Sequence, residues 1–168
     1  ANVGFDDVLD AFRSQVRHGM DDLVKVIGWL EEVYRTTRPT PVNSILTEGC
    51  LESGRDVTWG GGLYDYTSIQ AAGLADTGDS LYALKRVVFD EKRFSLPEFV
   101  GVLRDNFRGR EALRVELAKK LPRYGNGDPE ADRMTQLAAD AFRDAALPPG
   151  NRGGGRGGRP GPAGRRLC

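Results

Sequence analysis

Apolar residues recur at steps of mostly three and four along the first part of the chain: Phe5, Val8, Leu9, Phe12, Val16, Met20, Leu23, Val24, Ile27, Leu30, Val33 and Tyr34. That period predicts one long amphipathic helix, with a bend expected near Gly19 or Gly28. The helix should stop before Arg38-Pro39-Thr40-Pro41, because two prolines remove amide donors and bias their predecessors away from helical angles. A second, short helix is expected next, capped by Asn43 or Ser44, with Ile45, Leu46, Cys50 and Leu51 as its apolar stripe and Gly54 as its left-handed stop.

The texture changes between Val57 and Thr77, where Trp59, Gly60-Gly61-Gly62, Tyr64, Tyr66 and a run of small residues from Ala71 to Ala75 follow one another. Three consecutive glycines allow close backbone approaches that a β-carbon forbids, so a tightly packed turn is expected, with one short strand around Leu63 to Thr67. Helical spacing returns from about Gly78 to Asp90, with Leu81, Leu84, Val87 and Val88 inward and Thr77 or Asp79 as the cap. Ser95-Leu96-Pro97-Glu98 is a capping box with a proline in the first turn, which predicts a helix through Phe99, Val100, Leu103 and Phe107. Gly109 separates it from a helix through Leu113 and Leu117 to Leu121. Asp128-Pro129 opens the last, carrying Met134, Leu137, Ala138, Ala141 and Phe142 on one face. The sum is six helices, a glycine-rich bend and a tail.

Composition narrows the class. The 168 residues are 39% hydrophobic and 29% charged, enough for one core. Twenty-four basic and 24 acidic residues cancel, so no overall field argues for nucleic acid, a membrane surface or an anionic substrate. No apolar run reaches the roughly 18 residues needed to cross a bilayer. Two widely separated cysteines, Cys50 and Cys168, do not suggest a structural disulfide, and a cytoplasmic setting fits them best. Residues 150–168 are dominated by glycine and arginine, with almost nothing apolar to offset the entropy of ordering, and are expected to be disordered. The chain opens on alanine, directly before a helical pattern, as expected of a stretch cut from something longer.

Candidate chemistry centres first on Gly49-Cys50-Leu51-Glu52-Ser53-Gly54-Arg55-Asp56. A thiol beside a carboxylate suits nucleophilic or radical chemistry, since the carboxylate can take a substrate proton. On a helix, however, residues two apart point about 200° from each other, and Cys50 falls on the apolar stripe, so Cys50 and Glu52 read as structural. His18 is the sole histidine, too little with two cysteines for a metal site. The glycine triplet lacks the lysine and hydroxyl of a phosphate loop. Arg-Gly-Gly repeats in the tail offer an alternative: a small helical binding module whose arginines contact RNA.

Taken in order, several blocks resemble the pyruvate formate-lyase domain of glycyl radical enzymes. These are Pro41-Val42-Asn43-Ser44, Gly49-Cys50-Leu51, Gly54-Arg55-Asp56, Gly60-Gly61-Gly62-Leu63-Tyr64, Gly73-Leu74-Ala75 and Asp79-Ser80-Leu81. Val88-Phe89-Asp90-Glu91, Asn106-Phe107-Arg108-Gly109, Arg123-Tyr124-Gly125-Asn126 and Asn151-Arg152-Gly153-Gly154 continue the match. The resemblance assigns residues 1–149 to part of that domain and leaves 150–168 as a tail whose composition suits a shifted reading frame.

The resemblance implies a chain that is mainly α as a fragment, drawn from the helical layer of a ten-stranded α/β barrel. It implies no bound cofactor or metal here. The full-length enzyme would carry a glycyl radical, installed by an iron-sulfur activating enzyme using S-adenosylmethionine, and passed to a cysteine that attacks a small-molecule substrate. The activity expected is that of a carbon-carbon lyase, a formate acetyltransferase or a dehydratase, usually in a homodimer. By this alignment Cys50 belongs to a later block than the radical cysteine, and both radical positions fall outside the chain, which alone should be inactive. Tyr64, Tyr66, Thr67 and Gln70 are the residues expected nearest a substrate. Gly62-Leu63 stands where the family more often has alanine and a polar residue, and Asp65 where asparagine is common, which leaves the substrate open.

Overall fold

A computed structural model describes residues 3–67, 69–146 and 166–167. Among them the chain is mainly helical: α1 (Phe5–Thr37), α2 (Pro41–Leu46), α3 (Cys50–Ser53), a 3-10 turn (Val57–Trp59), α4 (Leu74–Leu84), α5 (Leu96–Arg104), α6 (Glu111–Lys119) and α7 (Pro129–Ala146). A π-helical turn, Lys85–Asp90, continues α4 directly. Two-residue strands β1 (Tyr66–Thr67) and β2 (Arg166–Leu167) pair in parallel. The expected disorder of the tail falls, apart from β2, outside the described residues.

The chain divides into two compact units, residues 1–14 with 71–143 and residues 15–70 with 144–168. Helix α1 is helical throughout, Gly19 and Gly28 included, so its first turns belong to one unit and the remainder to the other.

The first unit is built as its periodicity dictates. Leu9, Leu81, Tyr82, Ala131, Met134 and Ala138 are buried together, and Val87, Val88 and Phe99 form a second cluster. The Phe5 and Phe89 rings meet edge to face at 5.6 Å, the arrangement aromatic quadrupoles favour. The Ser95 cap forms as expected: its amide and hydroxyl donate to Glu98 at 2.8 and 2.6 Å, and the Ser95 hydroxyl is the largest influence holding the Glu98 carboxyl below its ordinary pKa. Asp128 accepts from the amides of Glu130 and Ala131 at the start of α7.

Helix boundaries shift where local chemistry outweighs periodicity. Helix α4 starts at Leu74, because Gly73 takes a left-handed angle and supplies the cap. Asp79, an expected cap, lies inside the helix and accepts from the Tyr124 amide and the Arg123 guanidinium. In α5 the inward residues are Phe99 and Val102, whereas Leu103 is exposed and Phe107 lies beyond the helix at positive φ.

Side-chain charge ties the elements further. Lys85 donates to Asp90 and Glu130, both at 2.7 Å, and these bonds raise its pKa, with Asp90 the larger influence. Arg93 grips Glu116 with two nitrogens, at 2.6 and 3.1 Å.

Candidate functional site

The second unit holds the cysteine, the glycine triplet and the candidate substrate residues. Its organising group is Asp56. The carboxylate accepts the Thr40 amide at 2.8 Å, the Ser44 hydroxyl at 2.8 Å, and the Thr58 amide and hydroxyl at 2.9 and 2.7 Å. The Thr40 hydroxyl adds a longer bond at 3.3 Å. Charge-assisted bonds of this kind favour the ionised form, and the Thr58 hydroxyl is the largest influence holding the Asp56 carboxyl well below the ordinary range. Ser44, which is buried, also accepts the Val57 amide at 2.9 Å, so one hydroxyl joins α2 to the 3-10 turn.

This clamp explains why α2 begins at Pro41 rather than after Asn43 or Ser44. Thr40, the residue before the helix, has its amide and hydroxyl engaged by Asp56, and Pro41 occupies a first-turn position where no amide is required. The predicted second helix is two helices, because Gly49 sits at φ +94 between them. Gly54, at φ +62, provides the stop that the sequence predicts. The clamp itself left a signal in the sequence. Asp56-Val57-Thr58 fits an aspartate bonding the amide two residues on, a turn that aspartate favours.

The GCLESGRD stretch folds around its glycines. Cys50 is buried at the start of α3. Glu52 points back and accepts the Gly49 amide at 3.0 Å, so the thiol and carboxylate neighbouring in sequence are committed to different surroundings. A β-carbon on Gly49 would stand 2.7 Å from the Leu63 nitrogen, and one on Gly61 would stand 2.1 Å from the Arg55 carbonyl oxygen. The triplet is therefore pressed against the backbone of residues 48–56, and further bonds hold it there. The Leu63 amide donates to the Glu48 carbonyl at 2.7 Å and the Ser53 hydroxyl to the Gly61 carbonyl at 3.1 Å. Trp59 donates its indole N–H to the Arg35 carbonyl at 2.6 Å, which fastens the 3-10 turn to the end of α1.

Beyond the triplet, Tyr64 and Gln70 are exposed, and Tyr66 and Thr67 contribute their backbone to β1. Among the described residues, no three His, Cys, Asp or Glu side chains gather into a metal-holding group. No described helix is long and apolar enough to cross a membrane. The Arg-Gly-Gly repeats behind the RNA-binding alternative lie outside the described residues.

The sequence pattern of the Pyruvate formate lyase-like family matches residues 3–148. The chain belongs to this family, that of the glycyl radical enzymes. It is 34% identical over 139 residues to the (2S)-3-sulfopropanediol dehydratase of Klebsiella oxytoca, covering 82% of this chain and 17% of that protein. It is 32% identical over 138 residues to the trans-4-hydroxy-L-proline dehydratase of Clostridioides difficile, covering 82% and 18%. Its fold is similar to the crystal structure of hydroxyproline dehydratase from Clostridioides difficile with trans-4-hydroxy-L-proline bound, at TM-score 0.80 and 29% identity, over 98% of this chain and 20% of that one. The chain thus spans about a fifth of the length of the relatives it matches.

Proposed function

We propose that this chain is a helical segment of a glycyl radical dehydratase, an enzyme that removes water from a small hydroxylated substrate. The observation that carries the reading is the sequence identity above 30% with two dehydratases acting on different hydroxylated compounds. It favours dehydration over the formate acetyltransferase and carbon-carbon lyase activities that the family resemblance alone leaves open. In this reading the segment lies in the helical layer of the family's α/β barrel. The radical glycine and the radical cysteine belong to other parts of the polypeptide. An activating enzyme generates the radical, and the enzyme works as a cytoplasmic homodimer.

Within that enzyme, Cys50 and Glu52 have structural duties: one fills space beneath α3 and the other caps it. The glycine turn leads into the stretch that holds Tyr64, Tyr66, Thr67 and Gln70, and in this reading these four are the substrate-proximal group. Tyrosine, threonine and glutamine supply hydroxyl and amide partners suited to orienting a hydroxylated molecule.

The test is a chimera of the Klebsiella oxytoca relative carrying residues 3–148 of this chain in place of the matched segment, activated anaerobically. A glycyl doublet in electron paramagnetic resonance together with dehydration of short diols or hydroxylated amino acids is expected. Tyr64→Phe and Gln70→Ala should lower kcat/KM without lowering Tm. A chimera that carries the doublet yet dehydrates nothing would overturn the reading. So would a doublet formed on the 168-residue chain alone.

A further inference from the structure

We propose that Asn126 is a site of spontaneous covalent modification, where the Gly127 amide nitrogen closes on the Asn126 side chain and converts it to aspartate and isoaspartate; the inference does not depend on the dehydratase reading. The described asparagines are Asn43, Asn106 and Asn126, and each precedes a residue whose amide could attack. The structure separates them by what that amide is doing. The Ser44 amide is held by the Thr40 carbonyl at 2.9 Å and the Phe107 amide by the Val102 carbonyl at 3.0 Å. A proton committed to a carbonyl is not free to leave, and the nitrogen that bears it is held out of the reaction.

At Asn126 both reacting groups are released. Asn126 and Gly127 are exposed, and neither the Asn126 side chain nor the Gly127 amide has a hydrogen-bond partner among the described residues. Gly127 has no β-carbon to crowd the attack, and nothing lies within 4 Å of where one would stand. The Gly127 nitrogen, its proton taken by hydroxide, forms a bond to Asn126 Cγ. The bond from Cγ to Nδ2 breaks, and ammonia leaves with a proton from water. Water then opens the cyclic imide. Opening at Cγ leaves aspartate, whereas opening at the main-chain carbonyl leaves isoaspartate, with the chain running through Cγ. Water is gained, ammonia is lost, and nothing is oxidised or reduced.

The surroundings give the conversion an effect. On one side of Asn126, Asp132 accepts the Gly125 amide at 2.8 Å; on the other, Asp128 accepts the amides of Glu130 and Ala131 at the head of α7. Isoaspartate inserts an extra main-chain carbon between these two anchors. Either product adds a carboxylate to a loop already held by Asp79, Asp128 and Asp132, and like charges repel. Ala131 is buried in the core of the first unit, so slack at the head of α7 reaches the packing.

The 168-residue chain is incubated at pH 8, folded and in guanidinium, and digested briefly with trypsin at lower pH. The peptide 124–133 carries no side-chain amide besides that of Asn126. Conversion is read as the mass gained when a hydroxyl replaces an amino group, with the peptide splitting into two chromatographic forms. Asn126 in the folded chain should react within about threefold of its unfolded rate, whereas Asn43 and Asn106 should fall more than about tenfold below theirs, because their following amides react only on local opening. Ageing should lower the Tm of the wild-type chain. It should leave unchanged the Tm of Asn126→Gln, whose longer side chain closes a ring far more slowly, and circular dichroism of the fresh variant verifies its fold. Asn126 protected in the folded chain as strongly as Asn106 overturns the proposal. So does a converted wild-type chain whose Tm has not moved.

Discussion

Gly61 lies against the carbonyl of Arg55 so closely that a β-carbon would stand 2.1 Å from its oxygen. Backbone, not a movable side-chain tip, fills that space. Gly61→Ala should therefore destabilise the chain by about 3 kcal/mol or more, at the upper end of what overpacking costs. Gly54→Ala is the comparison. It has a left-handed φ of +62 but open space where the methyl would go, so only the backbone angle is penalised, by about 1–2 kcal/mol. Urea unfolding of both variants reads the difference directly.

The Asp56 clamp predicts an acid-sensitive second unit. Its carboxyl is held below the ordinary range, so its stabilisation is fully present above the unfolded pKa of about 4 and is lost as pH falls below that value toward the folded pKa. Asp56→Asn should lower Tm at pH 7, since an amide cannot accept from all the Thr40, Ser44 and Thr58 donors. It should also lose less Tm than wild type between pH 5 and 3. Parallel melting curves across that interval for the two proteins would contradict the assignment.

Gly78 and Thr135 mark a close crossing of α4 and α7. A β-carbon on Gly78 would stand 1.9 Å from the Thr135 hydroxyl oxygen and 2.6 Å from its Cα. Gly78→Ala should cost about 2–4 kcal/mol. Because the clash includes backbone, altering Thr135 should not rescue it. The Thr135 hydroxyl is buried with no hydrogen-bond partner, so Thr135→Val alone should be neutral or stabilising by up to about 1 kcal/mol. Thermal melts of the two single variants and the double variant separate these statements.

Ser95→Ala removes the hydroxyl that serves the cap of α5 and should destabilise by about 1 kcal/mol, with Gly at the same position costing less than Ala. A guanidinium titration followed by circular dichroism at 222 nm measures both.

Sequence and structure agree best where one helix meets another within the chain. The stripe Leu81, Val87, Val88 and the capping box at Ser95 were legible because local chemistry and tertiary burial point the same way. In α1 and α2 the period was equally plain, but it marks apolar faces without naming what covers them, and Leu30, Ile45 and Leu46 lie in the open. The Asp56 clamp spans 16 residues from Thr40, a separation that periodicity does not register, although its two-residue link to Thr58 is a local pattern. The glycine triplet announces a tight turn in the sequence, whereas Gly49 reads as part of one short helix that it in fact divides. Which backbone Gly49 and Gly61 press against emerged only from the fold.

The wide turn at Lys85–Asp90, closed by the Glu91 amide on the Arg86 carbonyl at 2.8 Å, holds one residue more than an α-helix would place there. In genetic terms it is a stored insertion. Removing a single residue from this turn leaves the helix a regular register to fall into, whereas the same deletion in α7 would rotate every later side chain about 100° off the core. Length variation among relatives should therefore collect at this turn, and a scan of single-residue deletions should find its tolerated site here.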